Sequence, residues 1–456
     1  MNPWIRVGQT TLIFLIMLSM PTAGLQALTV QNTAENATSV LIVGSAAELV
    51  EALESPNANR HIRLRPGDYA VDHPLVVPDH VTLEGGGVMR YVEGLPTGFE
   101  KGTETTIRPS TGFAGDLLIL GDGAVLFGLR LQDISSGPED SVQRTGNVVV
   151  VGSRTPGDNV SAKIIECEII NPNSFGVSPN GPVGHALVVL TRNPNRADLH
   201  APDEHATITA RLERSIVRAT GMGGALFVIH FAAHSTISIG LEGNRMLGRT
   251  IASAGASRPD RVSNSSVSIT SSNNLYSPYP GGSLELGWRL FGGSSAHLPG
   301  LAAPGARFNV MHFQSNNDRI EGFRTGVMAT AGRRWLTASG PVSDNRLELD
   351  LNGLQIRSDG DGAADLVLYG ALSDSAPDSG PEFAPGDRNV LHVLIRDSGG
   401  SPGIRANRYA DVAGPALQAN QGAGNRLEFA GSAEEYVRSN EGFAPGPPME
   451  FFQETP

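Results

Sequence analysis

Beyond residue 60 the apolar positions of this chain recur at every second residue, in short runs cut by Gly, Pro, Asn or Asp. "AVLFGLRLQD" sets Val125, Phe127, Leu129 and Leu131 on one expected side. "RLELDLNGLQI" sets Leu347, Leu349 and Leu351 inward, with Glu348 and Asp350 outward. The stretch "RHIRLRPGDYAVDHPLVVPDHVTLEGGG", Arg60 to Gly87, packs three such runs together with no room for a helix between them. Helical spacing occurs before it, in "SAAELVEALES". Ser45 stands at the N-cap, Glu48 three residues on, and Leu49, Val50 and Leu53 form the apolar face, which predicts a helix over 45–55.

A phrase of Asn, a polar residue and an apolar alternation recurs down the chain, at Asn244, Asn264, Asn317, Asn345, Asn389 and Asn425. The intervals are uneven, as they are when one structural turn repeats with loops of variable length between copies. Each unit is too short to bury its own apolar face, so it must stack on its neighbours. The pattern predicts an all-β chain, a right-handed single-stranded parallel β-helix with an N-terminal capping helix. At a recurring corner Asn has a physical role, because it tolerates the left-handed region and its amide can bond the backbone of the next coil. A sandwich or propeller would instead need hairpin turns, for which "LNGLQI" around Asn352 is the one good signal.

Composition agrees with many short elements: 55 Gly and 30 Pro in 456 residues, with 18% charged. The net charge is −12 and Lys occurs only at Lys101 and Lys163, so the surface lacks the basic footprint that nucleic acid demands. The N-terminus, "MNPWIRVGQTTLIFLIMLSMPTAGLQALTV", has Arg6 ahead of an apolar core from Leu12 to Leu18 and small residues at 23–27. It reads as a signal peptide over 1–27, the alternative being an uncleaved anchor. The mature chain is then expected in the extracellular or periplasmic space, with no membrane span. Residues 28–44 read as a linker, 45–440 as the β-helix and 441–456 as a Pro-rich tail whose "MEFF" could dock over the last coil. Long loops are expected near 277–306 and 373–388. Cys167 is the sole cysteine, so there is no internal disulfide, and its place in "AKIIECEII" fits a buried thiol.

The stretch from Ser45 to about Asp133 resembles the opening of the pectin lyase-like, right-handed parallel β-helix superfamily. The resemblance rests on the capping helix, on a Pro-Gly-x-Tyr turn at Pro66, Gly67 and Tyr69, and on a Leu-x-Gly-Gly corner at Leu83, Gly85 and Gly86. It implies the fold. Members include lyases, hydrolases, epimerases, adhesins and phage spikes, so activity must be argued from the site. The hydrolases' Asn-x-Asp, Asp-Asp and Gly-His-Gly set is absent, as is the epimerase-type Asp-Pro-His-Asp, and no catalytic residue carries over.

Several weaker constellations remain. "NNDRIEGFRTGVMATAGRRW" concentrates Arg319, Arg324, Arg333 and Arg334 beside Asp318 and Trp335, a local cationic site of the kind an anionic sugar requires. Surface ion pairs would explain the same letters. Arg319, Arg333, Arg334 and Asp318 are the first catalytic candidates; His230 and His234, four apart in "FVIHFAAHST" and so on one side of a regular strand, are the second. Trp335, Arg324, Trp288 and Tyr279 are candidates to bind sugar. Asp359, Asp361 and Asp365, spaced by glycines in "RSDGDGAAD", form a partial calcium loop that reads equally well as a solvated turn, and Ca²⁺ is the one cofactor considered. "LHAPDEHAT" brings together His200, Asp203, Glu204 and His205, a transition-metal set or an ordinary polar loop.

The expectation is therefore an exported protein that binds or acts on a polysaccharide or cell-surface glycan. As an enzyme it would be a lyase of a uronate-containing chain, with a glycoside hydrolase next. The alternative is a non-catalytic adhesin, spike or envelope scaffold.

Overall fold

A computed structural model describes residues 40–55, 61–113, 115–133, 146–153, 157–172, 184–191, 205–220, 224–257, 262–280, 286–295, 305–334, 342–359, 364–373, 386–396, 418–419, 425–431 and 450–451. Among these, three long sheets of thirteen, nine and eleven strands run along one axis, parallel throughout save for one short antiparallel pairing of Gln418–Ala419. The chain is a right-handed parallel β-helix. One coil shows the order: Thr207–Glu213 in the first sheet, Ile216–Ala219 in the second, Gly224–His230 in the third, then Thr236–Glu242 back in the first. The opening runs obey it, with His61–Leu64, Gly67–Val71 and Leu75–Val77 forming successive sides of one coil before Thr82–Glu84 begins the next.

The helix Ala46–Glu54 closes the N-terminal end by burying Leu49, Ala52 and Leu53. The Ser45 hydroxyl accepts from the Glu48 N–H, and the Glu48 carboxylate reaches back to the N–H of Gly44 at 2.7 Å, one residue earlier than in a regular capping box. The Tyr69 hydroxyl, fully buried, donates to carbonyls of both Val43 and Arg65, which ties helix, turn and first strand together.

Inside, like residues stack in rows. Along the first sheet one row reads Ile239, Ile269, Phe313, Leu349, Val393. Along the third another reads Leu226, Thr250, Trp288, Val327, Leu366. Period two holds within strands and fails at corners. Leu126, not Val125 or Phe127, points inward with Leu129 and Leu131, because Gly128 takes a left-handed turn (φ 63°) and shifts the alternation. The stretch 277–306, expected as a loop, contains a ten-residue strand, Leu286–Ser295, of the third sheet. Glu450–Phe451 pairs beside Glu428–Phe429 at the C-terminal end.

The recurring Asn phrase marks two buried corner ladders that flank the first sheet. On the side leading into it, the N–H of each corner residue donates to the side chain one coil later: Ser265 to Asn309, Asn309 to Asn345, Asn345 to Asn389 and Asn389 to Asn425, at 2.9–3.1 Å. On the side leading out, Ser215, Asn244, Asn274 and Asp318 follow the same rule. Asn264 and Asn317 stand one residue before the ladders, in the left-handed position (φ 55° each), so the motif divides into an exposed αL residue and a buried acceptor. Each rung satisfies backbone donors that have no ladder partner at a bend. The amides need space: a Cβ at Gly293 or Gly332 would lie 2.6 Å from Asn345 or Asn389.

Candidate functional site

The arginine concentration at 319–334 does not form one cluster, because the chain crosses from one sheet to another within it. Arg319 opens the second-sheet strand Arg319–Glu321, half-buried on its outer face, and Arg324 is exposed at the bend that follows. Arg333 lies at the far end of the third-sheet strand Thr325–Arg334, only 6% exposed, with its guanidinium 5.4 Å from the Phe291 ring centroid and Nη1 against Met328 Sδ. Phe291 and Met328 thus cover much of it, and it lies on a different sheet from Arg319. The side chains of Arg334 and Asp365, and the whole of Trp335, Asp361, His200, Asp203 and Glu204, lie outside the described residues.

Four further candidates belong to the interior. Asp318 is a ladder rung: Oδ1 accepts from the N–H and amide of Asn274, and Oδ2 accepts from the Ser315 hydroxyl at 2.7 Å. Burial raises its pKa to about 6 against the pull of those donors. His230 is fully buried, bonded at Nδ1 to Thr191 and donating from Nε2 to the Ser266 carbonyl, and burial lowers its pKa to about 4. It is a neutral core histidine. His234 does not share its side, because the strand ends at His230 and His234 sits exposed at the corner with φ 54°, stacked on His205 at 5.4 Å between ring centroids. Trp288 is fully enclosed between Tyr276 and Phe313 and offers no plane to a sugar. Cys167 is buried too, its thiol pushed up to about 12 by desolvation. Asp359 is exposed after the last second-sheet strand, its N–H bonded to the Phe323 carbonyl, and no group of three metal-ligating side chains occurs among the described residues.

What the structure brings together is a face that spacing alone did not reveal. Along the outer side of the second sheet the register reads Arg130, Glu168, Ile216, Arg245, Leu275, Arg319, Gln355. The parallel row reads Gln132, Ile170, Arg218, Leu247, Ser277 beside it, and Glu321 faces Arg357 further on. In the N-terminal coils the arginines are compensated: Arg108 by Asp68, Arg130 by Glu168 at 2.6 Å, and Arg218 by the same Glu168 at 3.6 Å. From the strand Arg245–Leu247 onward ion pairing stops, and Glu321 is the one carboxylate in these strands, opposite Arg357 in register. Arg245, Arg319, Arg324 and Arg357 form no ion pair with any described residue, and the Nε of Arg245 is buried without a hydrogen-bond partner. Adjacent strands are about 4.8 Å apart, so Arg245 and Arg319 stand roughly 10 Å apart with half-buried Leu275 between them.

Across the N-terminal edge of this face lies an antiparallel hairpin, Met89–Val92 with Leu95–Phe99. Met89 and Phe99 pack onto Ile216 and Leu247 of the second sheet, and Tyr279 leans half-buried on the same cluster. Tyr279 and Arg319, both sequence candidates, thus come from neighbouring coils of one sheet. The hairpin is anchored at its base by Thr103, whose hydroxyl accepts from the Val88 N–H. Burial and the neighbouring Glu166 carboxylate raise the Tyr91 phenol on it to about 12, so it stays neutral. No protein-family model matches the chain, and no curated protein matches its sequence.

Proposed function

We propose that the protein is an exported, pectin lyase-like β-helix that binds an acidic glycan on the outer face of its second sheet. The observation that carries this reading is the run Arg245, Arg319 and Arg357 without ion pairs, on a chain of net charge −12 whose first-sheet arginines pair with Glu and Asp. A guanidinium without an ion pair can take an anion, and a carboxylate or sulfate supplies the fork geometry it prefers. Leu275 and Tyr279 add apolar surface for ring faces beside those charges.

The reading is one of binding. Elimination from a uronate needs a base beside the cation that neutralises the carboxylate. Of the acid–base candidates, Asp318 and His230 are bonded into the interior, and His234 lies on a corner of the first sheet.

The test uses the mature protein on immobilised polygalacturonate, alginate and heparin. Retention that falls when Arg245 and Arg319 are both changed to Ala supports the proposal, and unchanged retention on all three overturns it. Incubation with the same polymers, with ultraviolet absorbance of unsaturated ends and new reducing ends as readouts, is expected to show no cleavage.

A further inference from the structure

We infer, resting on the glycan-binding reading, that this face holds the end of an acidic chain and not an internal stretch of it. The strands from Arg245–Leu247 to Gln355–Arg357 are four neighbours in the second sheet, three of which bear an unpaired arginine. They span about 14 Å, room for roughly three or four sugars if each advances by about one strand spacing.

At one limit of that span the path is blocked. The hairpin does not hover over the sheet: Met89 and Phe99, 6% and 4% exposed, are seated on Ile216 and on Leu247. Leu247 shares a strand with Arg245, so the wall rises where the unpaired charges begin. The wall is fixed on both flanks. Phe99 lies under the Arg130 guanidinium at 5.8 Å, and the Tyr91 phenol stands near Glu166 and Arg214 at the corner of the first sheet. Val88, Tyr91 and Val92 are exposed on the wall at 48%, 39% and 61%, with Arg90 and Glu93 exposed beside them. The arginines behind the wall already have carboxylate partners, so no charge continues the track beyond it. A chain lying along Arg357, Arg319 and Arg245 therefore meets the hairpin with its terminal sugar, beside the Tyr279 ring.

End binding and internal binding differ in stoichiometry. Size-defined heparin and oligogalacturonate fragments, from tetrasaccharide to long polymer, would be titrated into the wild-type protein by calorimetry. The expected result is one protein per chain at every length, with affinity level within about threefold beyond the tetrasaccharide. A number of proteins per chain that grows with length overturns end binding and leaves the glycan reading intact. No heat and no retention with any fragment overturns both. As a second readout, shortening the hairpin tip between Tyr91 and Pro96 is expected to let several proteins load on one long chain; one protein per chain in a variant that keeps the wild-type melting profile would also overturn the blocked-end inference.

Discussion

The outer faces of the first and second sheets are built from successive sides of the same coils at the same spacing, yet they treat arginine in opposite ways. On the first sheet Arg63 meets Glu84, Arg211 meets Glu213 and Glu242, Arg346 meets Glu348, Arg396 meets Asp350 and Arg426 meets Glu428. Histidines join the same lattice, His312 to Glu348 and His392 to Glu428. On the C-terminal half of the second sheet the neighbours of Arg245 and Arg319 are Leu275 and Gln355. A lattice of exposed pairs contributes little stability per pair and presents little net charge. A row of uncompensated guanidinium groups presents a field and open donors, which is what an anionic ligand needs and folding does not. The difference teaches that what sets the proposed site apart is the absence of ion pairs, beside a sheet that supplies them.

The largest effect separates the two faces directly. Changing Arg245 and Arg319 to Ala removes two charge-assisted contacts, each worth about 1.5–3 kcal/mol, so affinity for an acidic oligosaccharide should fall by roughly 100-fold or more. The matched pair Arg211→Ala and Arg346→Ala on the first sheet should change it less than about threefold. Calorimetric titration of both doubles decides the matter; equal losses would mean that overall charge, not the second-sheet row, attracts the ligand.

The contrast can also be erased without removing an arginine. Leu275 stands between Arg245 and Arg319 in register, so Leu275→Glu would give the second sheet the carboxylate that the first sheet has. Binding should weaken by roughly tenfold, while stability shifts by less than about 1 kcal/mol, as for other half-exposed pairs. Denaturant unfolding beside the titration measures both; unaltered binding would show that these two arginines do not act together on the ligand.

Much of this molecule can be read from its letters, and the limit is instructive. The coil is legible because period two, the Pro66-Gly67-Tyr69 turn and the corner asparagines are local signals with local causes. The site is not, because whether an arginine is paired depends on a residue one coil away, such as Arg396 on Asp350, 46 positions earlier. One local cue does help. In "RLE" at 211–213, 346–348 and 426–428 the Glu two places on shares the outer side and pairs with the Arg, whereas "RML" at 245–247 offers Leu. The cue fails at Arg319, whose Glu321 is in the right place and forms no pair. Arg333 misled for a related reason: the bend at Gly322 and Arg324 sends it to another sheet, where its stem and guanidinium are buried against Phe291 and Met328.

The smallest functional effect, and a separate stability effect, come from Asp318, the residue that fixes the start of the Arg319 strand. Its buried carboxyl titrates near pH 6 in the folded chain, above its ordinary value of 3.8, so the folded state holds the proton more tightly than the unfolded one. Its contribution is therefore least unfavourable below about pH 4 and worsens as pH rises toward 6, costing of order 2–3 kcal/mol above that. Asp318→Asn keeps an acceptor for the Asn274 N–H and amide, and the Ser315 hydroxyl can turn to accept from the new amide. The variant should gain stability of that order at about pH 7.5, gain none at about pH 4, and bind acidic oligosaccharide as the wild type does. Unfolding curves at the two pH values test the ladder, and the binding assay tests the site. A loss of affinity in a stabilised Asp318→Asn would place this carboxyl in the functional face after all, and the division between a structural corner and a ligand-binding row of arginines would have to be redrawn.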